Sequence, residues 1–482
     1  MSWISRFFSM FSARTPPPES MRTVPCTGFD LVALDLILTT GLIINTRLES
    51  KKLEETISTL VERKFPRAGA RIARRNGVYE FQVPKTFRPD TPPVVFTAAD
   101  YPEPYQSAAR PEIPTHISGS QPSVSPMPDM SVYFRSKTCP ASLDAFLVPN
   151  TPLLHVHVSV FDDITFLGIT ASHIAFDALG TGTLLHAWTR LINGDEIDTI
   201  PGMDWDAMPF ESFTGPTAVT HQRGWFDLGL IAQLLFIVRF VLRLFWDPKE
   251  TPYLVRVPKG FLDDSKRQIM EDLKSQGSTE WVGSSDVLLA WWFKTVFGYR
   301  ASDDTTPIHI HVPVNLRAKS VFPSESTLAT PYINNAVSGI PVPPVPVNAF
   351  RRESLGTLSL HIRRAILAYN ADLAGMRADM HWRCANPSKM IFPCPADGEF
   401  SIQTNWLSAR LSELDFSGAC APGSERKARV VSVLPVSSAG KPIPLRGGGA
   451  VLMEDEQAVW MSQVRGEKDW EKIRQSGTIA FI

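Results

Sequence analysis

The chain has 482 residues, a formal net charge of −1, 44% hydrophobic and 20% charged residues. That length exceeds what one hydrophobic core usually serves, so two large lobes are expected. Near-neutral charge without a dense Lys/Arg block argues against nucleic acid as a partner. The five cysteines, Cys26, Cys139, Cys384, Cys394 and Cys420, form no C-x-x-C pair. They suggest neither a zinc site nor a disulfide framework, and so a reducing compartment.

In chain order, residues 1–14 carry Trp3, Ile4, Phe7, Phe8, Met10 and Phe11 around Arg6 and Arg14. The stretch lacks the long apolar region and small-residue cleavage site of a secretory signal. It reads as a short membrane-surface helix or a frayed tail, ended by Pro16-Pro17-Pro18. Residues 22–83 read as strand, helix, strand. Leu53, Ile57, Leu60 and Val61 repeat at a helical period. Phe65-Pro66 ends that helix, because the residue before a proline avoids the helical region. Arg71 to Arg75 is locally basic and reads as a solvated face. The proline-rich stretch 84–130 reads as long surface loops. Residues 153–160 and 164–170 read as strands. His155/His157 and His309/His311 are i,i+2 pairs on expected strands, and half-buried strand histidines are preferred to a metal site there.

Leu228 to Trp246 is almost wholly apolar, interrupted by Gln233, Arg239 and Arg243. Three readings stand: a helix in the membrane interface with its arginines reaching headgroups, a helix buried between lobes, or a span. Beyond it come a strand at Tyr253 to Val257 and two helices, the second capped by Ser284-Ser285-Asp286. Ile308 to Val314 alternates as a strand. Pro341 to Pro346 reads as a connecting loop and Leu355 to Tyr369 as a helix. Val430 to Leu434 and Ala450 to Met453 read as closing strands, and Glu456 to Val464 as a last helix. Strands alternating with helices in both halves argue an α/β protein.

The apolar run Ile164 to Ile169 leads into His173-Ile174-Ala175-Phe176-Asp177. A histidine at the end of a buried strand is placed to emerge into a cleft, and neutral imidazole is a usable base near pH 7. An aspartate four residues on can fold back to hold the loop. Alone, H-x-x-x-D also describes a satisfied core histidine.

Several patterns follow in a fixed order: Phe65-Pro66-Arg67-Ala68-Gly69-Ala70-Arg71, His173 to Asp177, Ser284-Ser285-Asp286, Val314-Asn315-Leu316-Arg317, Pro331-Tyr332-Ile333-Asn334-Asn335, Thr404-Asn405-Trp406 and Asp415-Phe416-Ser417-Gly418. From about residue 22 to the end, this order resembles the CoA-dependent BAHD-type acyltransferases, in their fungal trichothecene O-acetyltransferase-like branch. The resemblance implies two chloramphenicol-acetyltransferase-like lobes joined by a crossover, with the site in a channel between them. The expected division is a tail at 1–21, lobes at 22–205 and 281–482, and a crossover at 206–280 containing the apolar helix 226–246.

By the same resemblance His173 is the general base. Asp177 turns away from substrate to pair with Arg317, while Thr404 and Trp406 supply donors for the oxyanion. Ser284, Ser285 and Asp415 match CoA-side segments. The second motif departs from the usual D-F-G-W-G, its glycine and tryptophan being replaced by Ser417 and Gly418. Ala178 replaces a frequent glycine, and Gly180 and Gly182 are expected to supply flexibility. No cofactor is permanently bound and no metal is needed; acetyl-CoA is the co-substrate. The acceptor is a hydrophobic alcohol of secondary metabolism: a terpenoid, meroterpenoid or polyketide. A cytoplasmic monomer is expected, with peripheral attachment to an internal membrane left open. Two rivals are an amide-forming condensation enzyme, usually marked by adjacent histidines where Ser172 stands here, and a non-catalytic binding scaffold.

Overall fold

The computed structural model describes residues 20–114, 119–328, 330–421, 427–438 and 445–482. The surface segment expected at 1–14 lies outside the described residues. Among the described residues three sheets are formed. A small antiparallel sheet holds β1 (Met21–Pro25), β3 (Arg71–Arg75) and β4 (Val78–Pro84). A five-stranded sheet runs, in spatial order, β13 (Val430–Ser438), β2 (Ile37–Ile44), β8 (Thr165–Ser172), β7 (His155–Val160) and β5 (Val95–Asp100). An eight-stranded sheet runs β11 (Val337–Pro346), β10 (Pro307–Asn315), β12 (Glu399–Asn405), β14 (Gly448–Glu454), β15 (Ala458–Gly466), β9 (Glu250–Pro258), β6 (Ser123–Pro126) and β16 (Ala480–Phe481). The longer helices are α1 (Ser50–Lys64), α2 (Ala178–Ile192), α3 (Leu230–Trp246), α4 (Lys259–Ser275), α5 (Ser284–Phe297), α6 (Leu355–Ala371), α7 (Leu373–Ala385) and α8 (Glu467–Ser476). The protein is thus α/β, and its sheets are mixed.

β8 is central in its sheet and buried along all its length. Its run of Phe166, Leu167, Ile169 and Ala171 therefore shows no alternation, as expected of a strand covered on both faces. Behind it α1 and α2 pack together, and the buried Trp188 indole donates to Thr56 Oγ1 at 2.9 Å.

The eight-stranded sheet has two apolar faces. Leu254 and Trp460 join the first core, while their chain neighbours Val255 and Met461 join the second, with Trp292, Phe293 and Trp470. This is the two-residue period of a strand seen from both sides. Strands also cross between halves of the chain. β13, from near the C-terminus, pairs with β2, and β6, from the first third, pairs with β9.

Four local expectations are corrected. Pro341 to Pro346 is the end of strand β11, not a loop. β11 is the sheet's edge and pairs only with β10, so prolines there forfeit no ladder bond on the free side. Glu456 to Val464 is not a helix: Ala458–Gly466 is strand β15, almost wholly buried between β14 and β9, and the last helix follows at Glu467–Ser476. A short apolar run without a clear period fits either element, and here the Val and Trp content favoured the strand. The stretch 84–130 contributes β5 and β6 besides its loops. Arg71 is buried rather than solvated, donating to Gly69 O, Pro92 O and Asn150 Oδ1.

The apolar helix α3 has no buried residue, which removes the reading as a helix buried between lobes. Among the described residues no helix is long and apolar enough to cross a membrane. Its arginines point inward. Arg243 meets Glu399 at 2.8 Å, Arg239 meets it at 3.7 Å, and Arg239 donates to Ala396 O. Arg300 binds the same buried carboxylate from the other side at 3.0 Å. Against the opposing effect of burial, Arg243 and Arg300 together hold the Glu399 carboxyl below its usual range. The arginines therefore fasten α3 to the protein and do not reach outward to headgroups.

Candidate active site

β8 ends at Ser172, and the His173 N–H continues the pairing by donating to Leu36 O at 2.8 Å. His173 and the three residues after it turn tightly before Asp177 starts α2 as its N-cap. The Asp177 carboxylate accepts from Gly180 N at 2.7 Å, Ala336 N at 3.0 Å and Arg317 Nη2, whose two contacts are both 3.0 Å. All of its oxygen capacity is spent on the helix start, the 332–336 segment and Arg317. Only 5% of Asp177 is exposed. Arg317 also donates to Tyr332 O and Asn334 O, tying both ends of that segment to one guanidinium.

The turn itself is held by two adjacent amides. Asn335 Nδ2 donates to His173 O at 2.8 Å and to Ile174 O at 3.2 Å, and Asn334 Nδ2 donates to Ala175 O at 2.8 Å. Asn334 Oδ1 accepts in turn from the buried Arg67, which also grips Trp205 O and Ala207 O. One distant motif thus binds the carbonyls of the histidine turn directly, and a second supports it through Asn334. Asn334, Asn335 and Arg67 stood in the sequence patterns without a role. Their signal was polar side chains amid residues destined for burial, which must find partners.

Burial lowers the His173 pKa from its usual value, outweighing a bond to its own carbonyl and the Asp177 charge, which both raise it. Only Nδ1 can reach the residue's own carbonyl. A proton kept there leaves Nε2 with a free lone pair.

Thr404 lies at the end of β12 and Trp406 immediately follows it. In register Thr404 faces Ala450, and Ala450 faces Ser462. Ala450 packs into the first core, so this face of the sheet looks toward the first lobe. The Thr404 hydroxyl donates to Gly449 O at 3.2 Å. Trp406 is 7% exposed, and its indole N–H has no hydrogen-bond partner among the described residues. The next turn docks on α2, where His186 Nε2 lies 3.0 Å from Ala409 O. The helix started by Asp177 therefore carries the segment containing Trp406.

Gly180 and Gly182 act by their lack of a side chain, not by flexibility. A Cβ on Gly180 would lie 1.8 Å from Ile333 O, and one on Gly182 would lie 2.9 Å from Ala409. Both sit inside α2. Gly180→Ala is expected to force α2 away from the 332–336 segment and destabilise the protein by about 1–3 kcal/mol. Denaturant melts check this; unchanged stability would mean that the approach relaxes freely.

Ser284 and Ser285 are exposed at the start of α5, and neither is the cap. Asp286 reaches back to Gly283 N at 2.7 Å and pairs with Arg363 at 2.7 Å. Asp415 is exposed and turns its own loop by accepting from Ser417 N. That loop lies against the end of α2 through Asn193. The structure does not bring Ser284, Ser285 or Asp415 into contact with the histidine turn. Among the described residues no group of His, Cys, Asp and Glu is arranged to hold a metal. His155 and His157 are spoken for by Pro152 O and Thr97 Oγ1.

Beneath the turn lies a buried carboxyl, Asp30, beside Arg67 and Asn335. Its Oδ2 accepts from Thr27 N and Thr27 Oγ1, whereas Oδ1 accepts nothing. Burial pushes its pKa up from 3.8 to about 6. An acid raised in the fold stabilises fully below the unfolded value, and that contribution is lost as pH rises through the folded value. Between pH 4 and 7 this carboxyl should therefore cost the fold about 3 kcal/mol. Asp30→Asn should flatten that part of the stability profile, as read by denaturant melts at pH 5 and 7.5; an unaltered slope would contradict it.

No protein-family model matches the chain. Whole-chain comparisons do. It is 26% identical to the acetyltransferase adrJ of Penicillium roqueforti over 77% of this chain and 76% of that one. It is 24% identical to the O-acyltransferase pboC of Aspergillus ustus over 88% and 92%. A protein called transcriptional regulator sdnM, of Sordaria araneosa, is 23% identical over 96% and 98%. TRI101 of F. graminearum, solved with coenzyme A and deoxynivalenol, superposes with a TM-score of 0.64 at 14% identity, over 94% and 97%. The TRI3 trichothecene 15-O-acetyltransferase of Fusarium sporotrichioides gives 0.55 at 11%, over 96% and 95%. The chain thus has the two-lobed BAHD-type acyltransferase fold, and its sequence stands beside those of fungal acetyltransferases and O-acyltransferases.

Proposed function

We propose that this protein transfers an acyl group, acetyl above all, from CoA to a hydroxyl of a hydrophobic secondary metabolite. The single observation that carries the reading is a desolvated His173 whose turn is clamped by Arg67, Asn334, Asn335 and Arg317. Such investment in backbone placement suits a side chain whose position matters for chemistry. His173 Nε2 takes the acceptor's hydroxyl proton as its oxygen attacks the thioester carbonyl. The tetrahedral intermediate collapses, the C–S bond breaks, and His173 returns the proton to the CoA thiolate. Asp177 positions the turn through Arg317 and takes no proton.

The unpartnered Trp406 N–H is assigned to the developing oxyanion, joined by Thr404 Oγ1 once its single proton turns away from Gly449 O, and each donor is worth about 10²–10³-fold. Trp406→Phe should lower kcat by about 10²-fold with little change in acceptor KM. Steady-state kinetics checks this, and an unchanged kcat would remove Trp406 from the mechanism. Ser284, Ser285 and Asp415 are assigned to the CoA side. The lobes are taken as 22–205 and 281–482 with 206–280 between them, working as a cytoplasmic monomer. The buried thiols of Cys26, Cys384 and Cys394, free among the described residues, suit a reducing compartment.

The test uses purified protein and His173→Ala with acetyl-CoA and a hydrophobic extract of the source cells. Free thiol and new acetylated masses are followed together. Products from the unaltered protein alone support the proposal and identify the acceptor. Equal thiol release from both would overturn the histidine mechanism. The similarity to a protein called a transcriptional regulator keeps a second reading, a non-catalytic scaffold of the same fold. Stoichiometric acyl-CoA binding without turnover would favour that one.

A further inference from the structure

The outer face of α3 is the largest run of exposed apolar side chains on one described element. Ten of its large residues are exposed, from Leu230 at 74% and Ile231 at 78% to Phe245 at 80% and Trp246 at 69%. At about 100° per residue, these ten fill a continuous arc of about 180° with no polar residue among them. The opposite side carries Gln233, Arg239 and Arg243, and both arginines are anchored on Glu399. Phe236 also packs on Phe392 at 4.9 Å from that side. The helix is thus fixed to the body with its apolar half-cylinder facing outward.

We propose that this half-cylinder docks in the interface of a lipid bilayer, with α3 lying in the membrane plane. Three observations choose this occupant. First, a convex half-cylinder is badly matched to a second copy. Two packed helices cover a stripe of roughly 100° on each other, leaving the flanks wet, whereas an acyl-chain phase covers the whole arc. Second, the helix is about 25 Å long, and charged residues back its whole second half. It can therefore enter one leaflet sideways without crossing. Third, its C-terminal end has the make-up of an interfacial rim: Phe245 and Trp246 are exposed, and the Lys468 ammonium sits 4.5 Å over the Trp246 ring. At the other end Lys389 pairs with Asp227, three residues before the helix begins.

The experiment is flotation of the full chain with phosphatidylcholine vesicles, with and without phosphatidylserine, at low and high salt. Light scattering on vesicle-free protein runs beside it. The comparison variant is Leu234→Gln, Val238→Gln, Phe245→Gln, all exposed positions, so an unchanged melting curve is expected. The unaltered chain should float with both lipids and keep floating in high salt. The triple variant should lose roughly a hundred-fold or more in partitioning. Flotation that survives the substitutions would place membrane binding elsewhere, for instance in residues 1–19, and overturn the assignment. No flotation would overturn it as well, and a dimer that the variant dissolves would make a second copy the occupant. None of these readouts depends on acyl transfer.

Discussion

His173→Ala is expected to lower kcat by about 10²–10⁴-fold, the usual contribution of a positioned general base. Its melting temperature should stay close to that of the unaltered protein. The stability expectation follows from the clamps, which hold the backbone of the turn: Asn335 binds His173 O, and Leu36 O receives His173 N. Both survive loss of the ring. The sign of the pH dependence follows from burial. A base whose pKa is lowered stays neutral as pH falls, so the acid limb of kcat/KM should lie below the ordinary imidazole value of about 6.5. The limb should vanish in His173→Ala. An acid limb at about 6.5 would mean that the ring is solvated, and one above it that the ring is paired with an anion. A variant that keeps full turnover would end the histidine mechanism.

The fold was legible wherever burial on one or both faces left a clean pattern. The strands before His173, the amphipathic α1 and the helix from Leu355 all lie where their periods put them. The failures came where local sequence was outvoted by neighbours. Pro341 to Pro346 looks unfit for a sheet, and only its place at the edge of one, beside β10, makes it a strand. β15 lacks a period because both faces of its sheet are buried, Trp460 in one core and Met461 in the other. The direction of the arginines on α3 was equally out of reach, because it depends on Glu399, 156 residues beyond Arg243. In the candidate site, His173, Asp177 and Arg317 were legible as a pattern, and the last two meet as expected. The amides of Asn334 and Asn335 were not assigned, since a carboxamide reveals its use only through the carbonyl it meets. Gly180 was misread for the same reason: a glycine needed for close approach looks, in sequence, like one needed for flexibility.

The Asp177–Arg317 pair should show the largest effect on stability. One carboxylate serves three donors on three segments of chain, at 5% exposure, and Arg317 reaches two further carbonyls. Removing one member of such a pair leaves the other charged and buried, which costs about 3–5 kcal/mol. Asp177→Asn should show this cost in denaturant melts, because its new N–H₂ must face Arg317, Ala336 N–H or Gly180 N–H, all donors. Arg317→Met should cost a similar amount, and the double variant less than the sum of the two, since the first substitution already forfeits the shared interaction. Activity should fall in all three through displacement of the turn. In whatever activity remains, the acid limb should move only downward when the Asp177 charge is lost, because that charge raises the His173 pKa, and only in a protein that melts early. This separates positioning from proton relay. A carboxylate acting on the imidazole itself would, when lost, move the limb in a protein that melts normally. That result would reassign Asp177 to the chemistry, against a geometry in which its oxygens are already taken by Gly180, Ala336 and Arg317.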